Sequence, residues 1–382
     1  MLDPTPVLTY STDLCNALTE LGVDVVLLTG RDYVHGARAK FTFCPMAPPS
    51  VRGHYLRKIF DEIRYLSHAA RLVLFWRPQI IHYQFMRFRI EIVLVAVLQL
   101  LRRPLVWTVH NVLPHETRGG DWLYYNAIYH MATRLFAHTE GSRTELVRRF
   151  HLDPRAVAVV PFGNYERLPR SVIPARDART ALGLPDESIV FLFYGMLRPY
   201  KGYDDLLDAF IDVAPRSPNA MLLIAGWASA ETADRLGDRV AQLPPALAGR
   251  VRLHLQLYSF VSQGMTDQLF SGADVVVLPY RSITQSAVLF QAFSYGRPVL
   301  ASAVGGFAET IIEGVNGYLV PPQDRETLAA RIAELSRDRA ALTKCGVRAR
   351  ERARAENDWG RIGELTRSLY HEALGTVKAG KA

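Results

Sequence analysis

The sequence predicts two doubly wound α/β domains in tandem, on three observations. Short apolar runs such as Ile189-Val190-Phe191-Leu192-Phe193-Tyr194 alternate with segments of helical periodicity along both halves. These runs are apolar at nearly every position, as strands covered on both faces of a parallel sheet are. A length of 382 residues is enough for two domains of ordinary size, each with its own core. Adjacent domains of this kind imply a cleft, and clefts are favoured ligand sites.

The first half predicts helix Ser11 to Leu21, a turn at Gly22 and a strand Val23 to Leu28. The chain thus opens on what reads as the loop after a strand, so the first strand of the domain is either missing or replaced. Residues 31–56 are polar and turn-rich, with Pro45, Pro48 and Pro49 interrupting regular structure. A helix from Leu56 to Phe75 carries Arg57, Lys58, Arg64 and Arg71 among aromatic and aliphatic residues. It suits either acidic lipid headgroups or an ordinary core-facing helix with its arginines in water. Strand Gln79–Gln84, helix Arg89–Arg102 and strand Leu105–Val109 follow.

The last of these strands delivers His110 and Asn111, then Pro114, His115 and Glu116, at its carboxyl end, where open parallel sheets bind ligands. A metal is disfavoured there, because Pro114 lies between the histidines and no further ligand cluster follows. His110 is the candidate for catalysis or sugar contact. Helix Trp122–Ala132, strand Leu135–His138, a helix from Ser142 to Phe150 with Ser142 and Glu145 as a capping box, and strand Val157–Val160 complete the first domain. Its boundary is placed at residues 1–168, with a Pro- and Arg-rich linker at 169–186.

The second domain, residues 187–352, opens on strand Ile189–Tyr194. Gly195-Met196-Leu197-Arg198-Pro199-Tyr200-Lys201-Gly202 comes next, then a helix from Tyr203. Strand, glycine-bounded cationic loop and helix together suit a phosphate or pyrophosphate: Arg198 offers a planar fork and Lys201 a mobile point charge. The plainer alternative is a pair of solvated surface charges. Strands Ala220–Gly226, Val251–Leu255 and Ala273–Pro279 alternate with helices around 203–213, 230–242 and up to Phe270. The loop Tyr280 to Ser286 leads into helix Ala287–Tyr295; Thr284, Gln285 and Ser286 with the free helix N–H groups form an anion site, or else a plain cap. Strand Val299–Ser302 precedes Gly305-Gly306, which allows close backbone approach before Glu309. From Thr327 to Leu374 the pattern is helical. The segment 353–382, with Trp359, Leu365, Leu369 and Tyr370, is expected to pack back toward the first domain.

Charge is unevenly placed. Of the net +8, residues 1–170 hold 21 Lys/Arg against 14 Asp/Glu, whereas the remainder is nearly neutral. A basic field suits an anionic partner, either an acidic membrane surface or a nucleic acid, and no nucleic-acid motif supports the latter. Cys15, Cys44 and Cys345 are odd in number and widely spaced, so neither a disulfide framework nor a zinc site is expected. No signal pattern opens the chain, and the stretch Ile90 to Leu101 is too short to span a bilayer. These readings place the protein in the cytoplasm, with a peripheral position on the inner face of the plasma membrane as an option.

From about Asp3 to Leu374 the chain resembles the glycosyltransferases of group 1, family 4, in the bacterial polysaccharide and glycolipid style. The residues that carry the resemblance are Phe193 to Arg198 with Lys201-Gly202, Ala225-Gly226, Ala273-Asp274, Leu278-Pro279-Tyr280, Thr284-Gln285-Ser286, Gly296-Arg297-Pro298-Val299, Gly305-Gly306 with Glu309, and Asn316 to Pro321. In the first half Thr108 to Asn111 with Pro114-His115-Glu116 looks like an acceptor-side loop. The resemblance implies the GT-B fold, two Rossmann-like domains facing a cleft with a C-terminal helix crossing back. It also implies transfer of a hexose from a UDP-, GDP- or ADP-sugar to a saccharide or lipid-linked acceptor, in exopolysaccharide, O-antigen or glycolipid synthesis, without a metal or other cofactor.

Under that resemblance Arg198 and Lys201 neutralise the diphosphate beside Gly195, and the amides at Ser286, Ala287 and Val288 hold its distal phosphate, next to Thr284 and Gln285. Backbone near Tyr258 and Phe260 meets the base, and His110 faces the transferred sugar. One departure stands out: the family's Glu-x7-Glu pair falls on Ile283 and Gln291. Gln291 can share a ribose contact, but Ile283 cannot replace a glutamate. That loss motivates a rival reading, a non-catalytic sugar-nucleotide- or saccharide-binding subunit of a synthase complex.

Overall fold

The structure, a computed structural model, describes residues 1–3, 9–30, 33, 36–47, 55–86, 90–101, 103–114, 119–171, 173–257 and 261–379. The chain divides into two compact units, Met1–Gly163 with Asn357–Ala382, and Asn164–Glu356.

The N-terminal unit contains α1 (Thr9–Glu20), β1 (Val26–Gly30), β2 (Thr42–Ala47), α2 (Tyr55–Trp76), β3 (Ile81–Tyr83), α3 (Glu91–Leu100), β4 (Leu105–Thr108), α4 (Asp121–Met131), β5 (Arg134–Ala137), α5 (Glu140–Phe150) and β6 (Val157–Val159). β1 pairs with β2, and β3 to β6 pair in sequence order, all parallel. The first strand, absent from the sequence pattern, survives as one residue. Leu2 bridges Leu28 on one side and Tyr83 on the other, both parallel. Its N–H donates to the His82 carbonyl at 2.8 Å and its carbonyl accepts from Gln84 N–H at 2.9 Å. A single residue thereby joins the two sheet fragments into the order β2, β1, Leu2, β3, β4, β5, β6.

β2 falls where the prolines were expected to prevent regular structure. It is the edge strand, so Pro45 removes no ladder bond that the interior of the sheet needs. α5 is capped by Thr139, whose hydroxyl accepts from Ser142 N–H at 3.1 Å, so the cap sits three residues before the expected Ser142.

The C-terminal unit contains α6 (Ala175–Leu182), β7 (Ile189–Tyr194), α7 (Tyr203–Val213), β8 (Ala220–Trp227), α8 (Ala230–Ala241), α9 (Pro245–Ala248), β9 (Val251–Gln256), α10 (Gln263–Gly272), β10 (Val275–Leu278), α11 (Ala287–Ser294), β11 (Val299–Ser302), α12 (Gly305–Thr310), β12 (Gly317–Val320), α13 (Arg325–Leu335) and α14 (Arg339–Glu356). Its parallel sheet runs β12, β11, β10, β7, β8, β9. β7 and β10 are buried along their length, save Tyr194 at the end of β7, which explains the unbroken apolar runs in the sequence. The strand order reverses between β7 and β10, and the carboxyl ends at such a reversal are where ligands bind.

The segment expected to be a linker, 169–186, holds α6. Its anchor is Arg179, buried, which donates to Asp274 Oδ2 at 2.7 Å and to the Gly272 carbonyl at 3.0 Å, while Asp274 Oδ2 also accepts from Val190 N–H at 2.8 Å. A long-range ion pair of this kind leaves no periodic signal in the sequence. Gly305 and Gly306 begin a helix, and Gly306 N–H donates to the Thr284 carbonyl at 3.0 Å.

The last helix, α15 (Trp359–Ala379), returns to the N-terminal unit. Trp359 lies so close over Gly163 that a Cβ there would meet its ring at 2.2 Å, and Tyr10 of α1 meets the same ring edge-on at 5.2 Å. Arg367 donates to the Leu21 carbonyl at 3.1 Å. Leu369 and Tyr370 are buried, whereas Leu365 is exposed.

Candidate functional site

In the C-terminal unit the turn after β7 is shaped by close backbone approaches. At Gly226 φ is +143°, and a Cβ there would come within 1.8 Å of the Gly195 carbonyl oxygen, so the ends of β7 and β8 touch only because Gly226 lacks a side chain. Gly202, at φ +67°, sits against the Pro279 carbonyl, where a Cβ would lie 2.0 Å away. That contact pins the cationic loop to the end of β10. Arg281 N–H adds a bond to the Tyr200 carbonyl at 2.7 Å, and its guanidinium grips both carboxylate oxygens of Asp205 at 2.9 and 2.7 Å.

Lys201 is the residue this geometry sets apart. It is 7% exposed, and no carboxylate pairs with it among the described residues. Its ammonium stands 5.2 Å from the centre of the Tyr280 ring and 3.2 Å from where a Cβ on Gly195 would be. Burial lowers its pKa; the Tyr200 phenol opposes this and the Arg198 charge adds to it. A buried ammonium without an anion is costly, so a ligand that supplies one is favoured. Arg198 is exposed and lies over Trp227, 5.6 Å from the ring centre.

Val288 of α11 also meets this point, with Cγ2 3.6 Å from the Gly195 Cβ position. Gly195, Lys201 and the first turn of α11 therefore converge at the carboxyl edge. Ser286 N–H is taken by Gln285 Oε1 at 2.9 Å, which leaves the amides of Ala287 and Val288 as the donors of that turn. Thr284 lies in the preceding loop, as does Ile283; Gln291 lies one turn further along α11. Tyr258 and Phe260, expected near the base, fall outside the described residues, as do His115 and Glu116.

In the N-terminal unit His110 follows β4 and is bound on both ring nitrogens. Nδ1 is 3.1 Å from His138 Nε2, and Nε2 is 3.0 Å from the Gln84 side-chain oxygen. Phe85 stacks on the ring at 4.4 Å and 2°, and Tyr10 meets it edge-on at 5.1 Å. His138 Nδ1 donates to the Val160 carbonyl at 2.9 Å, so neutral His138 accepts at Nε2 and His110 donates to it from Nδ1. Burial, followed by the neighbouring His138 and His82, holds the His110 pKa well below its usual range, and burial holds His138 at about 4. Neutral His110 thus carries its lone pair on Nε2, toward Gln84. Half a turn of the Gln84 amide completes the chain: its NH2 meets His110 and its oxygen meets His82, whose ring also bonds Thr108 at 2.8 Å and Tyr370 at 2.6 Å. Sequence reasoning found His110 but missed Gln84 and His138, although both follow neighbouring strands, β3 and β5, at the same edge. Among the described residues no group of three or more His, Cys, Asp or Glu side chains forms a metal-ligand set.

Comparison with known proteins assigns each unit. The model of glycosyl transferases group 1 matches residues 175–352, and that of glycosyltransferase family 4 matches residues 7–163. The chain is similar to a D-inositol 3-phosphate glycosyltransferase of Streptomyces griseus subsp. griseus, 30% identical over 270 residues; the match covers 65% of this chain and spans 55% of that relative's length. Among solved structures, a sucrose-phosphate synthase from Thermosynechococcus elongatus superposes with a TM-score of 0.76 at 21% identity, covering 98% of each chain. Anabaena Alr3699/HepE in complex with UDP-glucose does so at 0.75 and 18% identity, again over 98% of each. The N-terminal unit thus carries the family 4 match and the C-terminal unit the group 1 match, each on a Rossmann-like parallel sheet, and the chain is a glycosyltransferase of GT-B type.

Proposed function

We propose that the protein is a metal-independent glycosyltransferase that moves a hexose from a nucleoside-diphosphate sugar to a saccharide or lipid-linked acceptor. The pathway that fits is exopolysaccharide, O-antigen or glycolipid synthesis, at the cytoplasmic face of the plasma membrane. The observation that carries the reading is the Lys201 ammonium, buried at the strand-order reversal without a carboxylate partner. A diphosphate placed there gains Lys201, Arg198 and the amides of Ala287 and Val288 as its negative charge grows on departure of the sugar. Base contact is assigned to the backbone at Tyr258 and Phe260, and ribose contact to Gln291.

His110 is assigned to the transferred sugar. Among the described residues its Nε2 lone pair is matched by the Gln84 amide, which a substrate hydroxyl would displace. The similar structure of Anabaena Alr3699/HepE in complex with UDP-glucose supports a sugar-nucleotide donor, and neither it nor the D-inositol 3-phosphate glycosyltransferase relative chooses the base or the acceptor.

The test is a thermal-shift screen of UDP-, GDP- and ADP-sugars followed by turnover with the donor that binds. One donor is expected to raise the melting temperature and to be consumed. Absence of any shift at millimolar concentration defeats the reading. Binding without turnover on a full acceptor panel would favour the binding-subunit reading that Ile283 motivates.

A further inference from the structure

A surface helix normally turns charged residues toward water. α3 does not. Its outward stripe of Val93, Ala96, Val97 and Leu100 is apolar throughout, with Val93 58% and Leu100 84% exposed, and its one ionisable residue, Glu91, is buried. α2 and α4 pack beside it. α2 ends on Leu74, Phe75 and Trp76, all exposed, Phe75 at 84%, and α4 opens on exposed Trp122 and Leu123. Apolar surface shared by three adjacent helices goes beyond the scattered exposed residues of ordinary domains.

The basic field lies on the same stretch. Residues 51–103 hold ten Lys/Arg against three Asp/Glu, while the rest of 1–170 holds eleven of each. All of that region's excess charge therefore sits on the segment that carries α2 and α3. Arg64 and Arg71, two turns apart on the exposed side of α2 beside Ile63 and Leu74, pair with no carboxylate among the described residues. A two-fold contact with a second copy would set this excess against itself. A nucleic acid would use the charge but leave the apolar stripe uncovered.

We infer that α2, α3 and the start of α4 form an interfacial docking face for a bilayer containing anionic lipid. The stripe of α3, with Phe75, Trp122 and Leu123, enters the boundary between headgroups and acyl chains, and Arg64 and Arg71 meet lipid phosphates. This deepens the membrane-face part of the proposed function, and it is independent of the donor site.

The experiment uses the full chain with vesicles of phosphatidylcholine alone and of phosphatidylcholine with phosphatidylglycerol, measured by co-sedimentation without any sugar nucleotide. Binding to the anionic vesicles is expected, reduced by salt, with tryptophan emission quenched by brominated acyl chains. Val97→Glu with Leu100→Glu should weaken binding at least tenfold. Arg64→Gln with Arg71→Gln should weaken it about fivefold per charge, on anionic vesicles only. Both pairs are exposed, so melting temperature and donor-induced thermal shift should stay at wild-type values, which separates this inference from the donor reading. Should the glutamate pair fail to fold, Val97→Ser with Leu100→Ser takes its place, with the same loss expected. The inference is overturned if the wild type ignores anionic vesicles. It is equally overturned if the α3 variants bind undiminished, or if they abolish a concentration-dependent dimer while leaving vesicle binding intact.

Discussion

The two units share a wound parallel sheet and differ in what stands at its carboxyl edge. The C-terminal unit presents a buried ammonium, a guanidinium and a helix N-terminus around glycines whose backbones touch. The N-terminal unit presents a neutral imidazole tied to a second imidazole and an amide. One edge holds a buried cation with no carboxylate partner among the described residues, and the other a buried neutral imidazole. Topology thus sets where a ligand site forms, and a few side chains set what it takes.

That contrast can be broken at four places. The largest effect is expected from Arg179→Ala, which removes the buried partner at 2.7 Å from Asp274 and leaves it only Arg339, at 3.3 Å, and the Val190 N–H; it should cost about 3 kcal/mol in denaturant unfolding. A wild-type midpoint would mean that α6 is not anchored by this pair. Next is Lys201→Met, which keeps the stem and removes the charge. Turnover should fall about a hundredfold or more, with donor-induced thermal stabilisation lost and the fold retained. Unchanged kcat would dissociate the ammonium from the leaving group.

Acid should then separate the units. The folded pKa values of His110 and His138 lie below the usual 6.5, so the unfolded chain binds protons first as pH falls. Stability of the N-terminal unit is therefore full above about pH 6.5 and declines as pH falls toward 4. His138→Asn should flatten that slope, as measured by urea unfolding across the range.

The smallest effect belongs to Glu166 in the C-terminal unit. Burial raises its pKa, but bonds from Arg350 and Arg354 and the charge of Arg170 outweigh this and hold it at about 2. Its contribution is present above the ordinary carboxyl range and lost as pH falls toward 2. After solvent screening, Glu166→Gln should cost on the order of 1 kcal/mol near neutral pH and little at the acid end.

Much of the C-terminal site was legible because its parts are local. Gly195 to Gly202 is one loop, and Thr284 to Val288 one helix start, each readable from spacing. Local too were the strands of both units, since a two-sided sheet demands apolar residues at successive positions. The histidine network was only half legible: His82 and Gln84 share the end of β3, whereas His110 and His138 follow β4 and β5, and nothing in their spacing announces that three strand ends bring them within hydrogen-bond reach. β2 was hidden by Pro45, and α6 by its dependence on a partner nearly a hundred residues away.

The sequence alone determined the alternation of strand and helix, the tandem of two α/β halves, the cationic glycine loop and the placement of the basic excess, because each depends on neighbours along the chain. Only the tertiary structure decided that Leu2 closes the first sheet, that Lys201 is buried without a carboxylate, that His110 accepts rather than donates at Nε2, and that the outward face of α3 is left bare. Each of these depends on which distant residues share a small volume, and pair distances across a fold are not written in the order of the chain.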